Sequence, residues 1–77
     1  MRLSFKTLYG KIFVLEGIDE DETIADIKAR IYESEGYPEN TQKLLILGKE
    51  LSDKKTLRDY HLHLFDDTII CLYFRKK

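Results

Sequence analysis

The sequence predicts a two-layer α+β domain in which one helix covers one face of a small sheet. Segment 23–36 carries Ile24, Ile27 and Ile31 at the spacing that aligns them on one side of an α-helix. Shorter stretches before and after it alternate or run apolar, as strands do. The chain has 77 residues, enough for one small core, so we expect a single domain over 1–77.

The chain begins with a predicted β-hairpin. Segment 2–7 alternates apolar and polar residues, which is typical of a half-buried strand. Gly10 supplies the positive φ that the following turn needs. The second arm, 11–16, has four consecutive apolar residues. We expect its two alternating sets to face opposite sides, Phe13 and Leu15 toward the helix and Ile12 and Val14 outward.

The ends of the helix carry local signals. The Thr23 hydroxyl can accept a hydrogen bond from the amide of Asp26, whose carboxylate can reach back to the amide of Thr23. The acidic run 19–22 lies where the helix dipole favours negative charge. Gly36 is suited to a left-handed residue at the end of the helix, and Pro38 prevents a restart.

Short elements are predicted after the helix. These are a strand at 43–47, a brief strand at 49–51, a helical turn at 56–60 and a closing strand at 68–74. Thr56 and Asp59 can cap the helical turn as Thr23 and Asp26 cap the helix. The segment between this turn and the closing strand, 61–67, is predicted to have no regular secondary structure.

The third and last strands have more apolar residues than one covered face needs. In both, each alternating set is apolar, so one set faces outward whichever set packs on the helix. If Ile69 and Cys71 face the helix, Ile70 and Leu72 face outward. The predicted exposed patch then consists of Leu8, Leu45, Ile70 and Leu72. Such a patch usually marks a partner site; a further domain covering it, or a different strand register, are the alternatives.

Composition excludes several classes of function. The net charge is −1, from 13 basic and 14 acidic residues, which does not favour a dedicated nucleic-acid binder. No apolar run is long enough to span a membrane. Because Met1-Arg2 leads directly into the first predicted strand, we expect no signal peptide. Cys71 is the only cysteine, so no internal disulfide forms and we expect a cytoplasmic or nuclear location.

Catalytic and metal sites are not expected. His61 and His63 are two residues apart, with aspartates at 59, 66 and 67, but no third ligand has reliable spacing, and loop histidines in solvent are the simpler interpretation. A cysteine in an apolar strand, such as Cys71, is usually an inert core residue. The sequence has no pairing of base and nucleophile and no phosphate-binding glycine loop, so we expect neither enzyme activity nor a cofactor.

Short matches to ubiquitin occur in order along the whole chain. They are Met1, Lys6-Thr7-Leu8, Gly10-Lys11, Leu15-Glu16, Glu35-Gly36, Pro38, Gln42, Leu44, Gly48-Lys49, Leu51, Asp53, Thr56-Leu57 and Asp59-Tyr60. One extra residue stands before the helix and one more before Thr68. The chain therefore resembles the ubiquitin-like family. This resemblance implies the β-grasp fold, a mixed sheet of four to five strands packed on one helix.

The resemblance also implies a docking surface. Leu8, Leu45 and Leu72 match the hydrophobic recognition patch of ubiquitin, Ile70 stands in place of its histidine, and Lys49 lies beside them. In the family this patch binds helices and small domains of ubiquitin receptors, including proteasome subunits. The tyrosine position of the family falls on Tyr60, whose hydroxyl is expected to bind a backbone group of the adjoining loop.

Modification sites follow from the resemblance as well. Four lysines match those that carry further ubiquitin in chains: Lys6, Lys11, Lys28 and Lys49. Arg30, Ser34 and Leu64 stand where ubiquitin has other such lysines. Conjugated members end in Gly-Gly, because only an unbranched tail threads the channel of the activating enzyme. This sequence ends in Arg75-Lys76-Lys77, so a conjugated modifier is not expected in this form.

The expected function is that of a monomeric, non-catalytic interaction domain of the ubiquitin–proteasome system. Three alternatives remain open. The domain can regulate a ubiquitin ligase or a deubiquitinase to which it is fused, its patch packing within that chain. It can be a modifier precursor whose Gly-Gly lies beyond Lys77. It can bind RNA weakly through the basic tail 75–77.

Overall fold

The computed structural model describes residues 2–46, 48–61 and 69–74. Its elements in chain order are β1 (Leu3–Thr7), β2 (Ile12–Leu15), α1 (Ile24–Glu35), β3 (Gln42–Ile46), β4 (Lys49–Glu50) and β5 (Ile69–Phe74), with 3-10 turns at Glu39–Thr41 and Arg58–Tyr60. The strands form one sheet in the order β2-β1-β5-β3-β4. β1 and β5 are parallel and the other neighbours antiparallel, so the predicted α+β fold with a mixed sheet on one helix is confirmed.

The first hairpin closes through backbone hydrogen bonds on Thr7. The Gly10 amide donates to the Thr7 carbonyl at 3.1 Å, and the Thr7 amide donates to the Lys11 carbonyl at 2.9 Å. Gly10 has φ +85°, a conformation that costs glycine little and a residue with Cβ much more. Beyond the turn, Phe5 pairs with Phe13 and their rings stack with centroids 5.2 Å apart. The turn therefore fixes which side chains of the hairpin face the core.

The helix begins and ends where the sequence predicts. The Asp26 amide donates to Thr23 Oγ1 and the Thr23 amide to Asp26 Oδ2, both at 3.1 Å. Gly36, at φ +83°, donates its amide to the Tyr32 carbonyl at 2.8 Å. The same reciprocal pattern joins Thr56 and Asp59. Local side-chain chemistry thus determines both helical starts.

The loop at 51–56 crosses the beginning of α1. The amides of Ile24 and Ala25 donate to the carbonyls of Lys55 and Asp53, at 2.9 and 3.1 Å. Two first-turn amides that have no partner within the helix are satisfied in this way. The adjoining backbone amide of Ser52 donates to the Tyr60 hydroxyl at 2.7 Å, which confirms the predicted role of that tyrosine.

One core lies between the helix and the sheet. Among the described residues, its buried apolar side chains are Leu3, Phe5, Phe13, Ile18, Ile24, Ile27, Ile31, Leu44, Leu51, Leu57, Ile70 and Leu72. Gln42 is also buried, and its Nε2 donates to the carbonyls of Lys28 and Tyr37. None of the described helices is long and apolar enough to cross a membrane.

The expected orientation of the last strand is wrong. Ile70 and Leu72 are fully buried, while Ile69 is 55% exposed. The cause is the parallel pairing with β1, which places Ile70 beside Phe5 and Leu72 beside Thr7, two residues that face the core. Because side chains alternate along a strand, a shift of one residue exchanges the two faces completely.

Candidate functional site

The face of the sheet that points away from the helix collects the exposed apolar side chains. Within the described part of the chain, the large apolar residues with the greatest exposure are Leu8, Tyr9, Ile12, Val14, Tyr32, Ile69 and Tyr73. Among them only Tyr32 belongs to the helix. The others lie on the outward side of β2 and β5 or in the turn between β1 and β2. A cluster of this kind on a small domain is typical of an interaction surface.

A central patch lies where β1, β5 and β3 adjoin; we define it as Leu8, Leu45, Cys71 and Tyr73. Cys71 pairs with Leu45 of β3 on one side and with Lys6 of β1 on the other. Neighbouring strands are about 4.8 Å apart, so a single binding partner can contact all of these side chains at once. Leu8, Cys71 and Tyr73, with Lys6 and Thr7, line a shallow depression of about 240 Å³. The depression gives an apolar side chain of a partner a place to insert.

A lateral patch continues the apolar surface toward the sheet edge; it consists of Ile12, Val14 and Ile69. Ser4 lies between Val14 and Ile69 in the strand pairing, and Lys6 lies beside Ile12. Ile12 and Val14 point outward, as the sequence predicts, and are 59% and 46% exposed.

The charges on this face are mainly lysines. Lys6 and Lys43 point outward, and neither makes an ion pair with a described residue. Glu50 of β4 is the strand partner of Leu45, so it borders the outward face. Two ammonium groups within an apolar surface are complemented best by a partner that carries carboxylates next to apolar side chains.

The predicted patch residues are only partly brought together. Leu8 and Leu45 lie on the outward face, as expected, but Ile70 and Leu72 are in the core and cannot contact a partner of the folded domain. Cys71 and Tyr73 occupy the outward positions instead. One signal in the sequence favours this arrangement: Cys71 and Tyr73 form the more polar of the two alternating sets, and the more apolar set is normally buried.

Lys49 lies at the margin of this surface. Its strand partner is Ile46, whose side chain packs against the core, so the two share the side of the sheet opposite to Leu45. The Lys49 ammonium is 5.5 Å from the centre of the Tyr60 ring, within the range of a cation–π contact. Lys49 therefore points away from the central patch, contrary to its expected place within it.

The four lysines predicted as modification sites differ in accessibility. Lys6 and Lys49 are exposed, and Lys11 is exposed while paired with Glu35. Lys28 has only 8% of its side chain exposed, and its ammonium is 2.6 Å from Asp53 Oδ1. The folded domain therefore does not present the Lys28 amine to an enzyme.

No metal centre is visible in the described part of the chain, where no three possible ligands cluster. His61 is exposed and follows the second 3-10 turn. His63, Asp66 and Asp67 lie outside the described residues, as do Arg75, Lys76 and Lys77. Cys71 is half-buried on the outward face, so the expectation that it belongs to the core is wrong.

One ion pair makes the stability dependent on pH. The Lys11 ammonium donates to Glu35 Oε1, which joins the start of β2 to the end of α1. This hydrogen bond holds the pKa of Glu35 below the usual 4.5. A carboxylate with a lowered pKa stabilises the fold above its unfolded-state pKa, and this contribution is lost as the pH falls through the folded-state value.

We expect Glu35→Gln to lower the melting temperature at neutral pH, by less than the substitutions discussed below, and to have no effect once the pH is below the folded-state pKa of Glu35. Thermal unfolding at a series of pH values measures the difference. Glu33→Gln, an exposed carboxylate of the same helical turn, is the matched control and should change little at any pH. An equal loss for Glu35→Gln at acidic and neutral pH would contradict the assignment.

Comparison with known proteins agrees with the fold. The model of the ubiquitin family matches residues 3–77. UV excision repair protein rhp23 of Schizosaccharomyces pombe is 34% identical over 77 residues, which is all of this chain but 21% of that protein. Ubiquitin-like protein 1 of the same organism is 40% identical over 62 residues, or 80% of this chain and 78% of the relative.

NEDD8-like protein RUB1 of Saccharomyces cerevisiae gives a similar match, 39% identity over 62 residues, covering 80% of this chain and 79% of that protein. The chain thus spans about a fifth of rhp23 and nearly four fifths of the two shorter relatives. The family model covers almost the whole chain, and the sheet and helix have the arrangement that the family implies. This chain belongs to the ubiquitin family.

Proposed function

We propose that this domain is a non-catalytic docking module of the ubiquitin–proteasome system, which binds ubiquitin receptors or proteasome subunits through its central patch. One observation carries the proposal. On the outward face, Leu8 of the first turn and Cys71 and Tyr73 of β5 line a shallow depression, and half-buried Leu45 of β3 lies beside Cys71. Lys6 and Lys43 lie next to them and make no ion pair with a described residue. Family membership supports it, since docking is what ubiquitin-like surfaces do. The cytosol or the nucleus is the proposed location.

The chemistry of the face indicates the shape of the partner. An amphipathic helix can place its apolar stripe on Leu45, Cys71 and Tyr73 and direct carboxylates toward Lys6 and Lys43. Each apolar anchor contributes on the order of 1–2 kcal/mol. A surface of this size is smaller than a standard interface, so we propose micromolar or weaker affinity.

We expect Leu45→Ala and Tyr73→Ala each to weaken binding of a ubiquitin-binding helix roughly tenfold, since about 1.4 kcal/mol corresponds to that factor. An amide NMR titration measures both the affinity and the residues that shift. Tyr32→Ala is the matched control for Tyr73→Ala, because Tyr32 is an exposed tyrosine on the opposite layer of the domain. Unchanged affinity in both patch variants, with the fold intact, would refute the proposed surface.

A modifier that continues past Lys77 to a glycine pair is the second candidate function. The matches to Ubiquitin-like protein 1 and RUB1 favour this candidate, because each covers nearly four fifths of the relative.

The match to rhp23 covers only a fifth of that protein and favours instead a domain within a longer chain. A domain that regulates a ligase or deubiquitinase to which it is fused is one case of this kind. The intact mass of the cellular protein separates these possibilities. Weak RNA binding by the tail stays a prediction.

A further inference from the structure

β2 forms one edge of the sheet, since β1 is its neighbour on the inner side. The hydrogen bond from the Thr7 amide to the Lys11 carbonyl shows that these two residues form a hydrogen-bonded pair of the antiparallel ladder. Such pairs alternate along a ladder, so the next one is Phe5 with Phe13. The backbone N–H and C=O groups of Ile12 and Val14 therefore point away from β1, toward the open edge.

Ile12 and Val14 also carry the exposed side chains of this strand. Both lie on the outward face, while Phe13 between them faces the core. An added strand would thus find its backbone partners and its apolar side-chain neighbours at the same two residues. β-Augmentation relies on this combination of main-chain hydrogen bonds and alternate side chains.

β2 has few of the features that usually prevent the edge strands of two molecules from pairing. β2 has no proline and no charged residue within its four residues, IFVL. Lys11 precedes the strand, but its ammonium is held by Glu35 of the helix. Only the shortness of the strand limits pairing.

We propose that a second copy of this chain pairs with β2 in antiparallel orientation, around a twofold axis at Phe13. In this register Ile12 of each copy lies opposite Val14 of the other, on the same outward face. The two pairs form four backbone hydrogen bonds, because both residues of each pair have their groups at the open edge. Pairs of branched aliphatic side chains are favourable across antiparallel strands.

The register follows from the strand itself. A shift of one residue would place an outward side chain opposite an inward one, which the pleat forbids. A shift of two residues in one direction puts Ile12 opposite Glu16, and in the other direction puts Val14 opposite Gly10. Only the proposed register pairs apolar with apolar at both outward positions, and a strand that complements itself in this way fits a second copy.

The expected assembly is weak but has a consequence for docking. Pairing two four-residue edges buries far less accessible surface than the roughly 1,200 Å² of a stable complex. We therefore expect the dimer to form only near millimolar concentration or when the two copies are tethered. The joined sheet has ten strands, twice the five of one copy, and presents two central patches on the same side. If the proposed function holds, a partner with two docking segments binds such a pair with avidity.

A dilution series from millimolar to micromolar concentration tests the proposal, using amide NMR shifts and translational diffusion. We expect concentration-dependent shifts concentrated in β2, and intermolecular contacts between the methyl groups of Ile12 and Val14 in a sample of mixed isotope labelling. Val14→Lys should abolish both effects. Ile69→Lys is the matched control, since Ile69 is at least as exposed as Val14 on the same face but lies two strands away from the edge.

Several results would overturn the proposal. One is constant shifts and diffusion up to millimolar concentration; another is intermolecular contacts at the central patch. An equal loss in Val14→Lys and Ile69→Lys, or an extended foreign peptide that binds β2 of a chain that stays monomeric, would also overturn it. Leu45→Ala separates this proposal from the docking function, because that variant should bind the receptor helix roughly tenfold more weakly and keep the concentration dependence.

Discussion

Replacing Leu72 with alanine should lower the free energy of unfolding by about 2–5 kcal/mol, the range for a large aliphatic side chain removed from a packed core. Leu72 is fully buried on β5 beside Thr7 of β1. Chemical denaturation monitored by circular dichroism measures the loss. Since small domains have only about 5–15 kcal/mol of stability in total, the effect will be large.

The adjacent residue supplies the control for this register. Tyr73 is 40% exposed on the outward face. Tyr73→Ala should therefore cost well under half as much stability as Leu72→Ala. If the two losses were reversed, β5 would lie in the opposite register, Leu72 would return to the exposed surface, and the central patch as defined here would be wrong.

Removing the carboxylate of Asp53 should cost about 2 kcal/mol, because Asp53→Ala leaves the buried ammonium of Lys28 without its counter-charge. Breaking a fully buried pair costs more, but 58% of the Asp53 side chain is exposed and water screens the pair. Lys28→Met should cost much less, since it removes the charge that needs a partner and keeps the length and apolar stem of the side chain.

The double variant Lys28→Met/Asp53→Ala completes the test. It should be about as stable as Lys28→Met alone, because the two residues act through one interaction. Strict additivity of the two single losses would show that Asp53 stabilises the fold in another way, such as through the loop that crosses α1. Denaturant unfolding of all four proteins gives the coupling energy.

The predictable parts of this fold are those that depend on neighbours in sequence. Thr23, Asp26 and Gly36 determine both ends of α1 through their own side chains and φ angles, so the sequence contains the whole signal. The outward position of Ile12 follows from the alternation of the hairpin. Leu45 is placed correctly because Lys43, two residues earlier and therefore on the same face, favours solvent for that set although Leu45 itself is apolar.

The parts that could not be predicted depend on distant partners. The orientation of β5 is determined by its parallel pairing with β1, more than sixty positions earlier, and both of its faces are apolar. The sequence offers only a weak preference between Leu72 and Tyr73 for the exposed face, from the greater polarity of the tyrosine. Gln42 is a second case, since a polar residue next to a loop gives no sign that two backbone carbonyls will hold it in the interior.

The burial of Lys28 gives one lysine of this domain a different meaning from the others. Its amine lies beneath the loop at 51–56, which also holds the beginning of α1. An acyl-transfer enzyme that attaches anything to Lys28 must capture a molecule in which that loop has left the helix. Once acylated, the lysine cannot return to Asp53, so the modification would hold the chain open. A modified Lys28 would then record that this loop had opened, whereas a modified Lys6 would record only that an enzyme had bound the folded domain.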